Sequence, residues 1–465
     1  MNKAIKKPLT VLAGITLAIS IAGCGTADSG QSASRSTPSG SAAPQAKKEK
    51  TKLTYWTFQR HDADYIKQKI QAFNETNKDN IEVEMTMMAE NYPQSLDLAF
   101  TSDQAPDVFA TPGKQIELYA KGYFEPFNKY LTDDMKKKFG SYVFEGNNQF
   151  DNNIISLPNV GTTIRLIYNV DMFDKAGLKP PKSLDEMVVV AKKITEVGKA
   201  DGIYGWSLPY KSPASALDRS VAKMAEMNGF HRTGFDFKAG KYDFAGWKPI
   251  IESLRQMKAN GSVLPGSEAL DMDPMRAQFA EGKIGMYISY SVEPGVYKNQ
   301  FPPKIRWDAA LVPTIDGGEP KGAIDPGAGT WLSLSSKSKH KEEAWKFISY
   351  MYQDEILRGY HEQGFGLTVL PHVLQGAKEP SIPGIKNFLL TKNDAAWPVA
   401  PQGVTPEGKT WHEEFTKYIL SGGDLDKTIK DVTARYNAAL DKAVSSGSVK
   451  VKADPNFDPK ALQKK

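Results

Sequence analysis

Leu53-Thr54-Tyr55-Trp56-Thr57-Phe58 is a β-branched and aromatic run of the kind that forms a strand. After it, residues 63–74 carry Tyr65, Ile66, Ile70 and Phe73 on one helical face, and Ile81-Glu82-Val83-Glu84-Met85-Thr86-Met87 alternates with period two. Strand, helix, strand is a βαβ unit, which implies a right-handed crossover and a parallel pair. Residues 93–101, with Leu96, Leu98 and Phe100, predict a second helix, and 107–110 a third short strand. The alternation points to an α/β fold with helices on both faces of a mostly parallel sheet.

Upstream the composition changes twice. Residues 25–46 are Ser, Gly, Ala, Thr and Pro with almost no large apolar side chain, too little to offset the entropy of ordering, so they read as a tether. Before them, Lys3, Lys6 and Lys7 precede an apolar run from Leu9 to Ala22, the layout of a secretory signal. That run is shorter than the roughly 20 residues a membrane-crossing helix needs. Cys24 is the only cysteine in the 465 residues, so no intramolecular disulfide is available to the body, which must hold together through its core.

Charge is just as unevenly placed. Of 59 basic and 54 acidic residues, seven basic and two acidic fall within the first fifty, so the remaining 52 and 52 balance. A neutral body lacks the concentrated positive charge that phosphate backbones require, and no nucleic-acid partner is expected.

Further along, Tyr168-Asn169 is followed by Phe173, Ala176-Gly177, Pro180-Pro181 and Leu184-Asp185-Glu186, with Ser183 and Glu186 spaced as a helix-opening cap. Together with Pro106-Asp107-Val108, Gly122-Tyr123-Phe124-Glu125-Pro126, Phe279-Ala280-Glu281-Gly282-Lys283-Ile284-Gly285-Met286 and Gly329-Thr330-Trp331-Leu332-Ser333-Leu334, this resembles the extracellular solute-binding proteins of bacterial ABC importers, in the carbohydrate-binding, maltose-binding-protein-like family. The resemblance runs over most of residues 53–371 and weakens beyond. It departs from the family at Tyr287 and Tyr290, where Trp is common, and residues from Lys450 onward read as a loose polar end.

The resemblance implies a two-lobed, type II periplasmic-binding clamshell whose lobes are joined by crossing segments at 157–161, near 318–325 and at 364–371. Its expected organisation is a lipoprotein signal peptide at 1–23, a lipidated Cys24 and linker at 24–50, lobe one at 51–159 and 323–365, and lobe two at 160–322 and 366–465. Ile21-Ala22-Gly23-Cys24 is similar to the lipobox of bacterial lipoproteins, which implies cleavage before Cys24 and a lipid anchor on the extracytoplasmic face of the cell membrane. The alternative is a free thiol beside an ordinary cleavage site. The implied partners are a carbohydrate ligand and the permease subunits of an importer, with the chain acting as a monomer.

Motifs for other chemistry are weak. Gly403-Val404-Thr405-Pro406-Glu407-Gly408-Lys409-Thr410 fits the P-loop expression, but no buried strand precedes it, Pro406 removes an amide, and Glu407 opposes phosphate. The six histidines form no zinc-type pair, so neither metal nor cofactor is expected, and no Gly-x-Ser-x-Gly elbow is present. A paired-carboxylate glycosidase is not excluded by a chain with 54 acidic residues.

Sugars present apolar faces and hydroxyl rims, so a binder stacks flat aromatics on the faces and aims polar groups at the rims. In α/β sheets ligands lie beyond the carboxyl ends of strands. That selects Gln59, Arg60 and His61 after the first strand, Glu90, Asn91 and Tyr92 after the second, and Trp206, Tyr210 and Tyr290 in the second half. Asp325, Trp331 and Trp397 join them through their place in or near the family-like segments. The expected function is capture of a carbohydrate by hinge closure without chemistry, with a cell-surface glycan-degrading enzyme and a sugar-sensing co-receptor of the same shape as alternatives.

Overall fold

A computed structural model describes residues 50–88, 91–113, 115–327 and 329–464. Cys24, the signal-like run, the tether and Glu90 lie outside the described residues. Among the described residues two larger sheets, of five and four strands, carry the architecture, with two further two-stranded pairs beside them.

The first sheet is built from β1 (Thr51–Thr57), β2 (Ile81–Met87), β3 (Val108–Ala110) and β4 (Phe124–Glu125), with a fifth strand, β9 (Leu332–Ser335), arriving from far along the chain. Its order is β2-β1-β3-β9-β4. β1 pairs in parallel with β2 and β3, as the βαβ reading requires, while β9 runs antiparallel to β3 and β4. The crossover helix Ala63–Thr76 turns Tyr65, Ile66, Ile70 and Phe73 inward, the four residues whose spacing marked it. Each such buried apolar side chain contributes about 1.5–3 kcal/mol.

The second sheet has the order β8-β5-β7-β6, from β5 (Ile164–Asn169), β6 (Tyr204–Trp206), β7 (Ile284–Tyr290) and β8 (Trp307–Ala310). Only β7 and β6 pair in parallel; β5 is antiparallel to both its neighbours. Both sheets are therefore mixed, because in each a strand enters from a distant part of the chain. The helix Leu184–Gly198 begins at Ser183, whose hydroxyl accepts from Glu186 N, while the Glu186 carboxylate takes the amide of Lys182 rather than that of Ser183.

Between the sheets the chain crosses three times. Gly161 N donates to Leu367 O at 2.9 Å, and Gly329 N to Val160 O at 2.8 Å, so the three segments lie backbone against backbone. A Cβ on Gly161 would stand 2.2 Å from Val369 Cγ1, which is why this position has no side chain. Ile324 packs in the core around the second sheet and Trp331 and Leu332 in that around the first, so the chain leaves one core for the other after Ile324, at the end of the 318–325 expected.

Residues after 371, where the family resemblance weakened, add two helices to the second lobe. Trp411–Ser421 opens on a reciprocal capping box between Thr410 and Glu413, and Leu425–Ser445 buries Leu425, Ile429, Val432, Tyr436 and Leu440. The P-loop-like stretch 403–410 is irregular loop, and its Thr410 hydroxyl is committed to that cap. Residues 450–464 are not a loose end. Gln463 Nε2 donates to Gly322 O at 2.6 Å, and Phe457 packs its ring against Phe237 and Trp397.

Candidate functional site

A cavity of about 460 Å³ opens where loops of the two lobes face each other. Lobe one supplies Phe144 to Asn147; lobe two supplies Asp218, Lys223, Arg232, Tyr290, Trp397, Gln402, Trp411 and His412; the crossings supply Thr162, Asp325 and Gly327. A larger groove of about 800 Å³ shares Glu145, Gly146, Val399 and Gln402 with it and leads outward. The lobes meet closely here, since a Cβ on Gly146 would lie 3.2 Å from Val399 Cγ1.

Tyr290, Trp397 and Trp411 line the cavity, each partly covered by the protein itself. Tyr290 ends β7 and lies under the Arg219 guanidinium, 4.9 Å from ring centre to Cζ. Arg219 is itself fixed by Ser289 Oγ at 2.8 Å and Ser215 O at 2.6 Å. Trp411 stacks on His412 at 3.5 Å between ring centres, and His412 Nε2 lies 2.7 Å from Asp218 Oδ1. Trp397, which is 6 % exposed, donates its indole N–H to Ala323 O.

The polar side of the cavity is an ionic cluster. Lys223 Nζ lies 2.9 Å from Glu226 Oε2 and 3.3 Å from Asp325 O; Arg232 Nη1 donates to Asp325 Oδ2 and, at 3.4 Å, to Glu226 Oε1. Asp325 N donates back to Glu226 Oε2 at 3.1 Å. Burial pushes both carboxyls up. For Asp325, Arg232 and Lys223 outweigh burial and hold it below the ordinary carboxylate range; for Glu226, fully buried, burial prevails and it stays above. Two cations thus face two carboxyls, and the N–H and O atoms of the cluster remain directional hydrogen-bonding groups.

Of the residues selected from sequence, Tyr290, Asp325 and Trp397 come together in this cavity. The others do not. Trp206 and Trp331 are 0 % and 1 % exposed inside the two cores, and Tyr210 is buried at 3 %. Tyr92 turns its hydroxyl inward, donating to Ala110 O at 2.8 Å. His61 Nε2 lies 3.1 Å from Tyr360 OH, which donates to Asp62, and Arg60 reaches across to Asp273 at 3.9 Å. The rule that ligands lie past strand ends found Tyr290 but took buried Trp and Tyr with it, because periodicity does not say which end of a strand is sealed. Lys223, Arg232, Asp218, Trp411 and His412 escaped it by standing on helices and loops. A signal for the first existed: Val221-Ala222-Lys223-Met224-Ala225-Glu226-Met227 sets a Lys–Glu pair three apart inside an otherwise apolar helix, and every residue of it is buried.

The profile of the family described as bacterial extracellular solute-binding protein matches residues 59–356, which include β1's exit loop, all of the second sheet, β9 and most of the cavity's lining up to Gly327. The chain belongs to this family. Relatives include a binding protein of Brucella abortus, 26% identical over 330 residues, 70% of this chain and 77% of that one. A maltotriose-binding protein of Pyrococcus abyssi is 23% identical over 63% of this chain and 61% of that one, and an sn-glycerol-3-phosphate-binding periplasmic protein of Brucella melitensis 23% over 75% and 84%. Among solved structures, the raffinose complex of the solute-binding protein RafE superposes with a TM-score of 0.63 at 20% identity, covering 84% of this chain and 99% of that one. A Listeria monocytogenes substrate-binding protein in complex with cycloalternan matches at 0.63 and 19%, covering 84% and 100%. These likenesses establish the two-lobed clamshell fold of the solute-binding family.

Proposed function

We propose that this chain is the substrate-binding lipoprotein of an ABC importer, and that it captures a carbohydrate, of oligosaccharide size, by closing its lobes over it and delivers it unchanged to the permease. The observation that carries this is the interlobar cavity: rings of Tyr290, Trp397 and Trp411 on its walls, beside a cluster of paired donors and acceptors. Rings suit the apolar faces of a sugar and the cluster suits its hydroxyls, while the neighbouring groove leaves room for further units. The raffinose and maltotriose specificities of similar proteins agree with this.

The glycerol-phosphate-binding relative suggests an anionic solute instead. Lys223 and Arg232, the cavity's cations, are each already matched by a carboxyl, which favours a neutral guest. Calorimetry with raffinose, maltotriose, xylo-oligosaccharides and sn-glycerol 3-phosphate tests the reading. Micromolar binding of a neutral sugar, with compaction seen by small-angle scattering, is expected; binding of the phosphate ester alone, or recovery of a cleaved sugar by mass spectrometry, overturns it.

The remaining organisation follows the same reading: Cys24 lipidated after removal of 1–23, residues 24–50 a tether, and a monomeric clamshell at the extracytoplasmic face of the membrane. Lobe one takes 51–159 with the chain from the middle crossing to about 365, and lobe two the rest.

A further inference from the structure

Trp397 is a partition. One side of it faces the 460 Å³ cavity, and the same residue lines a second cavity of about 230 Å³ with Phe235, Phe237, His231, Phe457 and Pro459. Its surroundings hold it weakly. Residues 395–400 belong to no helix or strand, and among the described residues no backbone amide from 396 to 402 donates to a backbone carbonyl. The side chain has one hydrogen bond, to Ala323 O. What fixes the plane of the indole must therefore be what packs behind it: the His231 ring at 5.5 Å and the Phe457 ring at 5.8 Å.

Phe457 is delivered by a strap with two anchors. At one end Asp454 N donates to Phe237 O at 2.8 Å, and Asp454 turns the chain by accepting from Phe457 N at 2.9 Å and Asn456 N at 3.1 Å. At the other, Gln463 Nε2 bridges Gly322 O and Pro320 O, just before the middle crossing. Leu462 lines a cavity beside Asp325, Pro326 and Gly327. The strap lies outside the residues 59–356 matched by the family profile.

We propose that Phe457 is a positioning residue for solute binding: the strap 450–464 closes the space behind Trp397 and so holds the indole against the guest. Without Phe457 the ring can retreat into the 230 Å³ cavity, and the stacked face is no longer presented. This rests on the reading of the larger cavity as the solute site.

The test separates the two. Exchange of the Trp397 indole N–H, held by Ala323 O, is compared by NMR between the unaltered chain and Phe457→Ala with no ligand present, and calorimetry follows with raffinose and maltotriose as probes. Expected are faster exchange of that indole proton, a Kd about tenfold higher, in line with the loss of one aromatic contact, an unfolding midpoint changed by only a few degrees, and recovery of affinity in Phe457→Tyr. Unchanged exchange, or a Kd within twofold of the unaltered protein, overturns the proposal. If neither probe binds the unaltered chain, the neutral sugar that does bind in the wider panel replaces them; if none binds, the solute reading fails, and the exchange arm alone decides whether Phe457 holds Trp397. Should Phe457→Ala not fold, Gln463→Ala, which frees the far anchor, takes its place with a smaller shift in the same direction, and no shift counts against the strap.

Discussion

Two arginine–carboxylate pairs near the crossings are built from the same chemistry and used differently. Arg165 and Asp394 are both fully shielded, and every N–H of the guanidinium is spent: two on the Asp394 oxygens at 2.9 and 2.7 Å, the rest on the carbonyls of Ile164, Asn387 and Leu389. Arg232, with its side chain 42% exposed, makes both of its side-chain hydrogen bonds through Nη1 and turns the remainder of the fork toward the cavity. A guanidinium has five donors. Where fixed partners take all five the residue is a brace; where some are left facing a cavity they can be offered to a guest.

The sharpest way to break this contrast is to remove the sealed carboxylate. Asp394→Ala leaves the Arg165 charge buried without its partner, and a stability loss of about 3–5 kcal/mol is expected in urea denaturation. A loss below about 1 kcal/mol shows that the pair is no brace. Arg232→Met keeps the stem and removes the fork; it is expected to weaken sugar binding about tenfold or more, the value of a charged hydrogen bond or two, with a smaller stability loss than Asp394→Ala. If stability falls and affinity does not, the two arginines are alike after all.

His231 sharpens the comparison further, since it lies behind Trp397 beside Arg232. Burial, with help from the Arg232 charge, pushes its pKa from 6.5 down to about 3. The folded state therefore refuses a proton that the unfolded state accepts, so stability is complete above pH 6.5 and falls as pH drops toward 3. The slope from this one group is at most about 1.4 kcal/mol per pH unit. His231→Gln should flatten the unfolding midpoint against pH in that window relative to the unaltered protein; parallel curves refute the assignment. The smallest effect belongs to the exposed interlobar pair Arg60–Asp273, at 3.9 Å. Arg60→Ala should cost under about 1 kcal/mol and less still at high salt.

Much of the architecture was legible because periodicity reports burial. β1, its crossover helix and β2 were all visible in alternating and 3.6-spaced apolar residues, and Ser183 announced its helix through cap chemistry. What periodicity omits is long-range order. Nothing in Leu332-Ser333-Leu334 says that this strand inserts between β3 and β4, and nothing in a tail of Lys, Asp and Pro says that Phe457 docks on Trp397. The cavity's lining was legible in proportion to its closeness to strand ends: Tyr290 follows from the strand it ends, whereas Trp411 and His412, brought in by a helix cap at Thr410, depend on a loop path that local sequence leaves open.

The placement of β9 has a consequence for biogenesis. Because it lies between β3 and β4, the first sheet has a gap in its middle until the ribosome has passed Ser335, by which point every strand of the second sheet has already emerged. The sheet encoded first is thus completed after the second sheet, and the helices Trp411–Ser421 and Leu425–Ser445 of the second lobe follow it. The two halves cannot be produced as independent pieces by cutting the gene between them, and a nascent chain must keep β3 and β4 unpaired with each other while more than two hundred intervening residues are made.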